Sequence, residues 1–253
     1  MVKKTTKPDI GDSALELDRI HLLDAIEGLK RLPDESVDLI VTDPPYNIAS
    51  RNRHTIRGNK LMTTAESFGS WDVMHPFDHE ILILQLISQA FRVLKRGGSL
   101  YLFTGRHENG YYVRKAVERG FTYRNQIAIV KTPAMVSVFK NSWRNGFDVC
   151  MFLTKGRVGA FHFPGHAEAV NVYQHAIQSK HSKHPTEKPL GLIKRLVSVS
   201  SNPGDLVVDP FMGSGTTAVA ARALGRRFLG FELNPEYIMM AEERLRKTDR
   251  ESQ

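Results

Sequence analysis

Two hydrophobic rhythms alternate along this chain. Compact aliphatic or β-branched runs read as strands: Arg19–Leu23, Val37–Thr42, Ser99–Phe103, Asn125–Lys131, Phe147–Thr154, Leu206–Val208 and Arg227–Phe231. Between them, apolar residues at helical spacing predict helices over Ala25–Leu32, Phe77–Lys95, Glu108–Arg119, Lys188–Ser200, Thr216–Leu224 and Pro235–Arg246. Pro33 stops the first helix, Gly97-Gly98, Gly120 and Gly225 close three others, and Pro235 starts the last. Strands alternating with helices imply an α/β fold, an open, doubly wound parallel sheet with helices on both faces. Ligands in such sheets sit at the carboxyl ends of the strands. Asp24, Asp43, Asp209 and Glu232 each fall at the end of a predicted strand.

The rhythm fails over 47–75, 132–146 and 155–187, connections long enough to expect function in them. Residues 1–18 are polar and are expected to be loosely attached, as is the tail 248–253, which leaves one domain over 19–247. The longest apolar runs, such as Ile81–Leu84, are too short to span a bilayer, and the N-terminus lacks the apolar core of a secretory signal. A single cysteine, Cys150, excludes a disulfide framework and points to a reducing, cytoplasmic setting. Thirty-five Lys and Arg against 27 Asp and Glu give a net charge of +8, which suits a polyanionic partner, nucleic acid first.

Two turns carry candidate chemistry. Asp209-Pro210-Phe211-Met212-Gly213-Ser214-Gly215-Thr216-Thr217 runs from a strand through a tight bend to a helix start, with Thr216 or Thr217 placed to cap that helix. No Lys follows Gly215, which disfavours a phosphate loop of the NTPase type. Glu232, closing the next strand, is placed to accept hydrogen bonds from a ribose. A tight turn with an incidental acid is the plain alternative. Asp43-Pro44-Pro45-Tyr46 is more specific. Its prolines remove two donors and leave stiff carbonyl acceptors, Asp43 adds a carboxylate, and Tyr46 adds a flat ring. That set suits a planar base with an exocyclic amine: Asp43 and the Pro44 carbonyl take its two hydrogens while Tyr46 stacks on the ring.

Together, DPPY and DPFMGSGTT resemble the S-adenosylmethionine-dependent amino-methyltransferases of DNA. Their order here is that of the circularly permuted beta group, which methylates adenine N6 or cytosine N4. The resemblance covers about residues 19–247. It implies a Rossmann-like, mostly parallel seven-stranded sheet with one antiparallel strand, and target recognition by loops at about 47–75 and 132–187. It further implies that Asp24 approaches the cofactor's adenine, although the usual preceding Gly is Leu23 here. His184-Pro185-Thr186-Glu187-Lys188-Pro189 matches the motif beside the methionine end of the cofactor, so His184, Thr186 and Lys188 join Asp43, Asp209, Pro210, Phe211, Gly213, Ser214, Gly215, Thr216, Thr217, Glu232 and Leu233 as expected cofactor-binding residues. The expected catalytic set is Asp43, Pro44, Pro45 and Tyr46.

The methyl donor brings its own activated group, so no metal is expected, and the histidines show no ligating pattern. Cys150 lies in a predicted buried strand and reads as an inert core thiol, which argues against cytosine C5 chemistry. Family members with Asp first in DPPY mostly resemble adenine N6 enzymes. The leading reading is therefore adenine N6 methylation of duplex DNA with base flipping. Cytosine N4 methylation is the alternative, and methylation of RNA or a non-catalytic DNA-binding subunit stands behind it. Arg51, Arg53, Arg57 and Lys60, the cluster Lys140, Trp143 and Arg144, and Lys180 with Lys183 are the candidate DNA contacts, positioning the backbone rather than reading sequence. A homodimer and a cognate restriction endonuclease are the further partners considered.

Overall fold

The computed structural model describes residues 15–47, 54–57, 60–63, 74–132, 143, 145–176 and 187–251, with 54–57 and 60–63 described as backbone. In chain order, β1 (Arg19–Leu22), α1 (Ala25–Lys30) and β2 (Val37–Thr42) are followed by a hairpin, β3 (His54–Arg57) and β4 (Lys60–Thr63). Next come α2 (Pro76–Val93), β5 (Leu94–Thr104), α3 (Asn109–Arg119), β6 (Thr122–Thr132), β7 (Phe147–Thr154) and β8 (Val172–Ala176). The chain closes with α4 (Leu190–Ser200), β9 (Leu206–Asp209), α5 (Thr216–Ala223), β10 (Arg227–Glu232) and α6 (Pro235–Glu251).

Among the described residues the main sheet has eight strands in the order β1-β10-β9-β2-β5-β7-β6-β8, and β7 runs antiparallel to both its neighbours. The single antiparallel strand matches expectation; the count of seven is corrected to eight. The extra strand, β8, pairs in parallel with the outer edge of β6. Its sequence, VYQHA, is too short and mixed to stand out from its irregular surroundings, and pairing to β6 is what makes it a strand. The β3–β4 hairpin likewise arises inside a stretch without periodicity.

Alternate residues of each strand feed two cores. Leu39, Val41, Tyr101, Phe103 and Val207 meet α4, α5 and α6 on one face, through Leu192, Leu196, Val219 and Leu245 among others. Ile40, Leu100, Leu102, Val208 and Leu229 meet α1, α2 and α3 on the other, through Leu29, Leu86 and Tyr112. Burial on both faces is why these strands read as near-continuous apolar runs.

Element ends differ from expectation in places with physical causes. Helix α2 stops at Val93, not Lys95, because Leu94 enters β5 and Gly97, at φ +85°, bonds across to the Lys155 carbonyl (2.8 Å). Asp18, expected in the loose segment, is tied to β10: its amide donates to the Phe228 carbonyl (2.7 Å) and its carboxylate pairs with Arg227 (2.5 Å). The expected tail begins as helix, since α6 runs to Glu251 with Asp249 paired to Arg222 at 3.3 Å. Among the described residues, no helix is long and apolar enough to cross a membrane.

Candidate active site

β2 and β9 lie side by side and parallel, with Ile40 opposite Val208. From this pair the chain departs in opposite directions, β2 through α2 to β5 and β9 through α5 to β10. Such a switch point opens a crevice at the carboxyl ends of the strands. Both candidate turns empty into it.

The corner after β2 is held from several sides. The Tyr46 hydroxyl donates to Asp43 Oδ1 at 2.5 Å, and Lys188 Nζ donates to Asp43 Oδ2. The Lys188 ammonium also lies 5.3 Å from the Tyr46 ring centroid and 5.0 Å from that of Phe103. Burial, and then the Asp43 charge, push the Tyr46 phenol well above its ordinary value, so its hydroxyl keeps the proton it donates. The buried His79 of α2 bonds the Pro45 carbonyl at 2.8 Å. Asn47, at φ +54°, accepts from the Met74 amide at 3.0 Å. The Pro44 carbonyl has no partner among the described residues. It is therefore an unbonded acceptor beside Asp43 among the described residues, on a buried residue.

The bend after β9 depends on backbone. Gly213 and Gly215 sit at φ +53° and +83°, and a Cβ on Gly215 would lie 2.5 Å from that of Ala241 in α6. Neither threonine caps α5; Gly215 holds that position. The Thr217 hydroxyl instead donates to Asp209 Oδ2 (2.7 Å), whose Oδ1 accepts from the Phe211 amide (3.1 Å). Burial of Asp209 and the nearby Asp43 charge outweigh these bonds and push its carboxyl from 3.8 up to about 7. Glu232 stitches the bend to the next strand end, accepting from the Gly213 amide at 2.9 Å and the Asn234 amide at 2.8 Å. Leu233, just beyond, is 65% exposed. Asp24 caps α1 through Oδ1, accepting from the Ile26 and Glu27 amides, and the Leu23 amide beside it donates to the Glu232 carbonyl.

Two consecutive residues join the turns. Glu187 takes a bond from Thr216 (3.3 Å) and an ion pair from Arg244 (2.6 Å), and Arg244 also donates to the Ser214 carbonyl (2.8 Å). Lys188, next in the chain, reaches Asp43. Sequence reasoning missed Glu187, Arg244, His79, Phe103 and Asp148 as members of this site. Glu187 lay within the quoted HPTEKP segment, but nothing local marks Arg244 or His79 among helical charges. Burial works to raise Asp148, yet Lys188, Lys131 (ion pair, 2.6 Å) and Arg106 together hold its carboxyl below the ordinary value.

Arg51, Arg53, Lys140, Arg144, Lys180, Lys183, His184 and Thr186 lie outside the described residues. Arg57 and Lys60 face each other in register across the β3–β4 hairpin. Trp143 is 99% exposed. Cys150 is buried in β7, and burial pushes its thiol well up, as suits a core residue. Among the described residues, no group of three His, Cys, Asp or Glu side chains could hold a metal ion.

A protein-family model described as DNA methylase matches residues 37–243. The chain is 31% identical to the DNA adenine methyltransferase YhdJ of Escherichia coli K12, over 88% of its own length and 80% of that protein. It is 33% identical to the type II methyltransferase M.HpaI of Haemophilus parainfluenzae, over 90% of this chain and 74% of the other. The solved complex of M1.HpyAVI with SAM superposes with a TM-score of 0.66 at 25% identity, covering 90% of this chain and 98% of that one.

Proposed function

Since the chain belongs to the DNA methylase family that acts on adenine N6 or cytosine N4, we propose that it transfers a methyl group from S-adenosylmethionine to the N6 amine of adenine in duplex DNA. One observation carries this reading: Glu187 and Lys188 clamp the glycine bend and the acceptor corner together, so donor and amine share one crevice. The Asp at position 43 and the name of YhdJ favour adenine over cytosine.

The residues at the bend fit S-adenosylmethionine. Left-handed glycines leave the backbone open to close approach, Glu232 presents a carboxylate where a ribose would lie, and the exposed Leu233 offers an apolar surface to a purine. When bound, the donor supplies a methyl group already activated on a sulfonium, with S-adenosylhomocysteine as product. Asp209, Pro210, Phe211, Ser214, Thr216 and Thr217 shape this end of the site; His184 and Thr186 complete the expected set.

The protein's own task is to bind, orient and exclude water. Amine nitrogen is a poor nucleophile because its lone pair is delocalised into the ring. Accepting its two hydrogens at Asp43 and the Pro44 carbonyl favours a pyramidal nitrogen with the lone pair free for in-line attack. Acceptors waiting where positive charge develops lower the barrier further. Asp43 is far too weak a base to remove the proton first; once the nitrogen–carbon bond has formed and the sulfonium carbon–sulfur bond has broken, the cationic nitrogen is acidic enough to give its proton to Asp43 and on to water. Tyr46 and Lys188 set the plane of the Asp43 carboxylate. The base leaves the duplex stack to reach this corner, and the Tyr46 ring recovers part of that cost.

Nucleoside mass spectrometry of duplex DNA incubated with the protein and S-adenosylmethionine tests the proposal. N6-methyladenine is expected. N4-methylcytosine would replace the adenine reading with the cytosine one, and bound cofactor without transfer to DNA or RNA would indicate a non-catalytic subunit. The proposal extends to backbone contacts by Arg51, Arg53 and Arg57. Changing all three to Ala should flatten the salt dependence of DNA binding by a log–log slope of about 2–3. It further extends to a cytoplasmic protein, a homodimer and, by analogy with the type II methyltransferase M.HpaI, a cognate endonuclease.

A further inference from the structure

A second cavity lies away from the crevice just described. Its volume is about 310 Å³, at the lower end of the range for small-molecule sites, roughly 300–1,000 Å³. It lies under the 158–173 segment, between α4 and the β5–β7–β6 part of the sheet. None of Asp43–Tyr46, Asp209–Thr217, Glu187, Lys188 or Glu232 lines it.

One wall is aromatic: Tyr101 stacks on Phe152 with centroids 4.7 Å apart and planes 10° from parallel, and Phe161 continues the stack at 6.0 Å. The facing wall is one side of α4, where Leu192, Arg195, Leu196 and Val199 follow helical spacing. Arg195 is the exception in an apolar row. Its side chain is half-buried; among the described residues its Nη2, which has no accessible surface, finds no hydrogen-bond partner and its guanidinium makes no ion pair. A donor atom buried without an acceptor is costly. Arg124, also without an ion pair among the described residues, adds a second positive charge to the lining. The acidic member, Glu168, is exposed.

We propose that this cavity is a second ligand site, for a small aromatic carboxylic acid whose ring lies against Phe152 and Tyr101 and whose carboxylate answers Arg195. Size limits the ligand to a small molecule, the aromatic wall favours a planar body, and the unpaired guanidinium selects an anion over a neutral isostere. The site stands independently of the methyl-transfer reading, since the two share no residue.

The test titrates the full chain with 2-naphthoate and with the neutral 2-naphthamide, by calorimetry, with and without saturating S-adenosylhomocysteine. The acid should bind at least tenfold more tightly than the amide, and S-adenosylhomocysteine should not displace it. Arg195→Met should erase that preference while the protein still unfolds cooperatively on heating, and Arg195→Lys should retain part of it. Val199→Trp, which fills the cavity, should weaken both ligands. Equal affinities, no binding, displacement by S-adenosylhomocysteine, or an unchanged preference in Arg195→Met would each overturn the proposal.

Discussion

The corner at 43–46 and the bend at 209–217 follow neighbouring parallel strands, yet they are built on opposite plans. The bend is set by its own backbone: left-handed glycines, a helix packed against Gly215, and carboxylates bonded by main-chain amides and a hydroxyl. The corner is stiff in its prolines, but its carboxylate is held by side chains, Tyr46 on one oxygen and the distant Lys188 on the other. A surface that receives the same cofactor every time can be fixed in backbone. On the proposed reaction, a group that meets an amine passing from planar to pyramidal is better steered by side chains that can shift by fractions of an ångström.

The largest difference should appear with Asp43→Ala. Methyl transfer should fall by about 10²–10³-fold or more, the scale of losing a principal transition-state acceptor, while calorimetry shows cofactor affinity little changed. A variant that still transfers at the normal rate would remove the corner from the mechanism. Gly215→Ala should do its damage to the fold instead. A left-handed Ala and a methyl driven into Ala241 together cost about 2–5 kcal/mol, seen as a clear drop in the thermal midpoint and in cofactor binding. An unaltered midpoint would mean the bend yields more readily than its contacts imply.

Lys188→Met sharpens the contrast. Loss of one of the two groups that orient Asp43 should lower kcat by roughly 10–100-fold, a cost in line with a small misplacement of a reacting group. Tyr46→Phe keeps the stacking ring and should cost less, under about tenfold, whereas Tyr46→Ala also loses base stacking worth about 1–3 kcal/mol. If Tyr46→Phe and Tyr46→Ala prove equally impaired, the hydroxyl rather than the ring is what matters.

Asp209 should add a pH dependence of its own. Its carboxyl is raised from 3.8 to about 7 in the folded protein, so the folded state holds that proton more tightly than the unfolded chain. The resulting stability is present below pH 4 and is lost as pH rises toward and through 7. Asp209→Asn should flatten this part of the stability–pH curve, measured as thermal midpoints from pH 4 to 8. Parallel curves for the two proteins would show that Asp209 is ionised throughout.

Much of the frame was legible along the chain. Val37–Thr42 and Phe147–Thr154 match their predicted bounds because strands buried on both faces announce themselves as continuous apolar runs. The Asp209 and Asp43 turns were visible because glycine and proline restrict the backbone locally. β8 was not visible, since Val172–Ala176 has no signal apart from its partner β6. Thr216 and Thr217 were misjudged as caps because a local rule could not know that Asp209 and Glu187 would compete for their hydroxyls.

The sequence by itself determined the alternating strands and helices, the two special turns and the family, since all of these rest on residues close together in the chain. Only the tertiary structure decided that β2 and β9 are neighbours, that Lys188 and Tyr46 divide the Asp43 carboxylate between them, and that Arg195 lines a cavity with an aromatic wall. Those facts join residues far apart along the chain. Contacts of that kind depend on how layers pack, and no local pattern of polar and apolar positions encodes which distant side chain arrives.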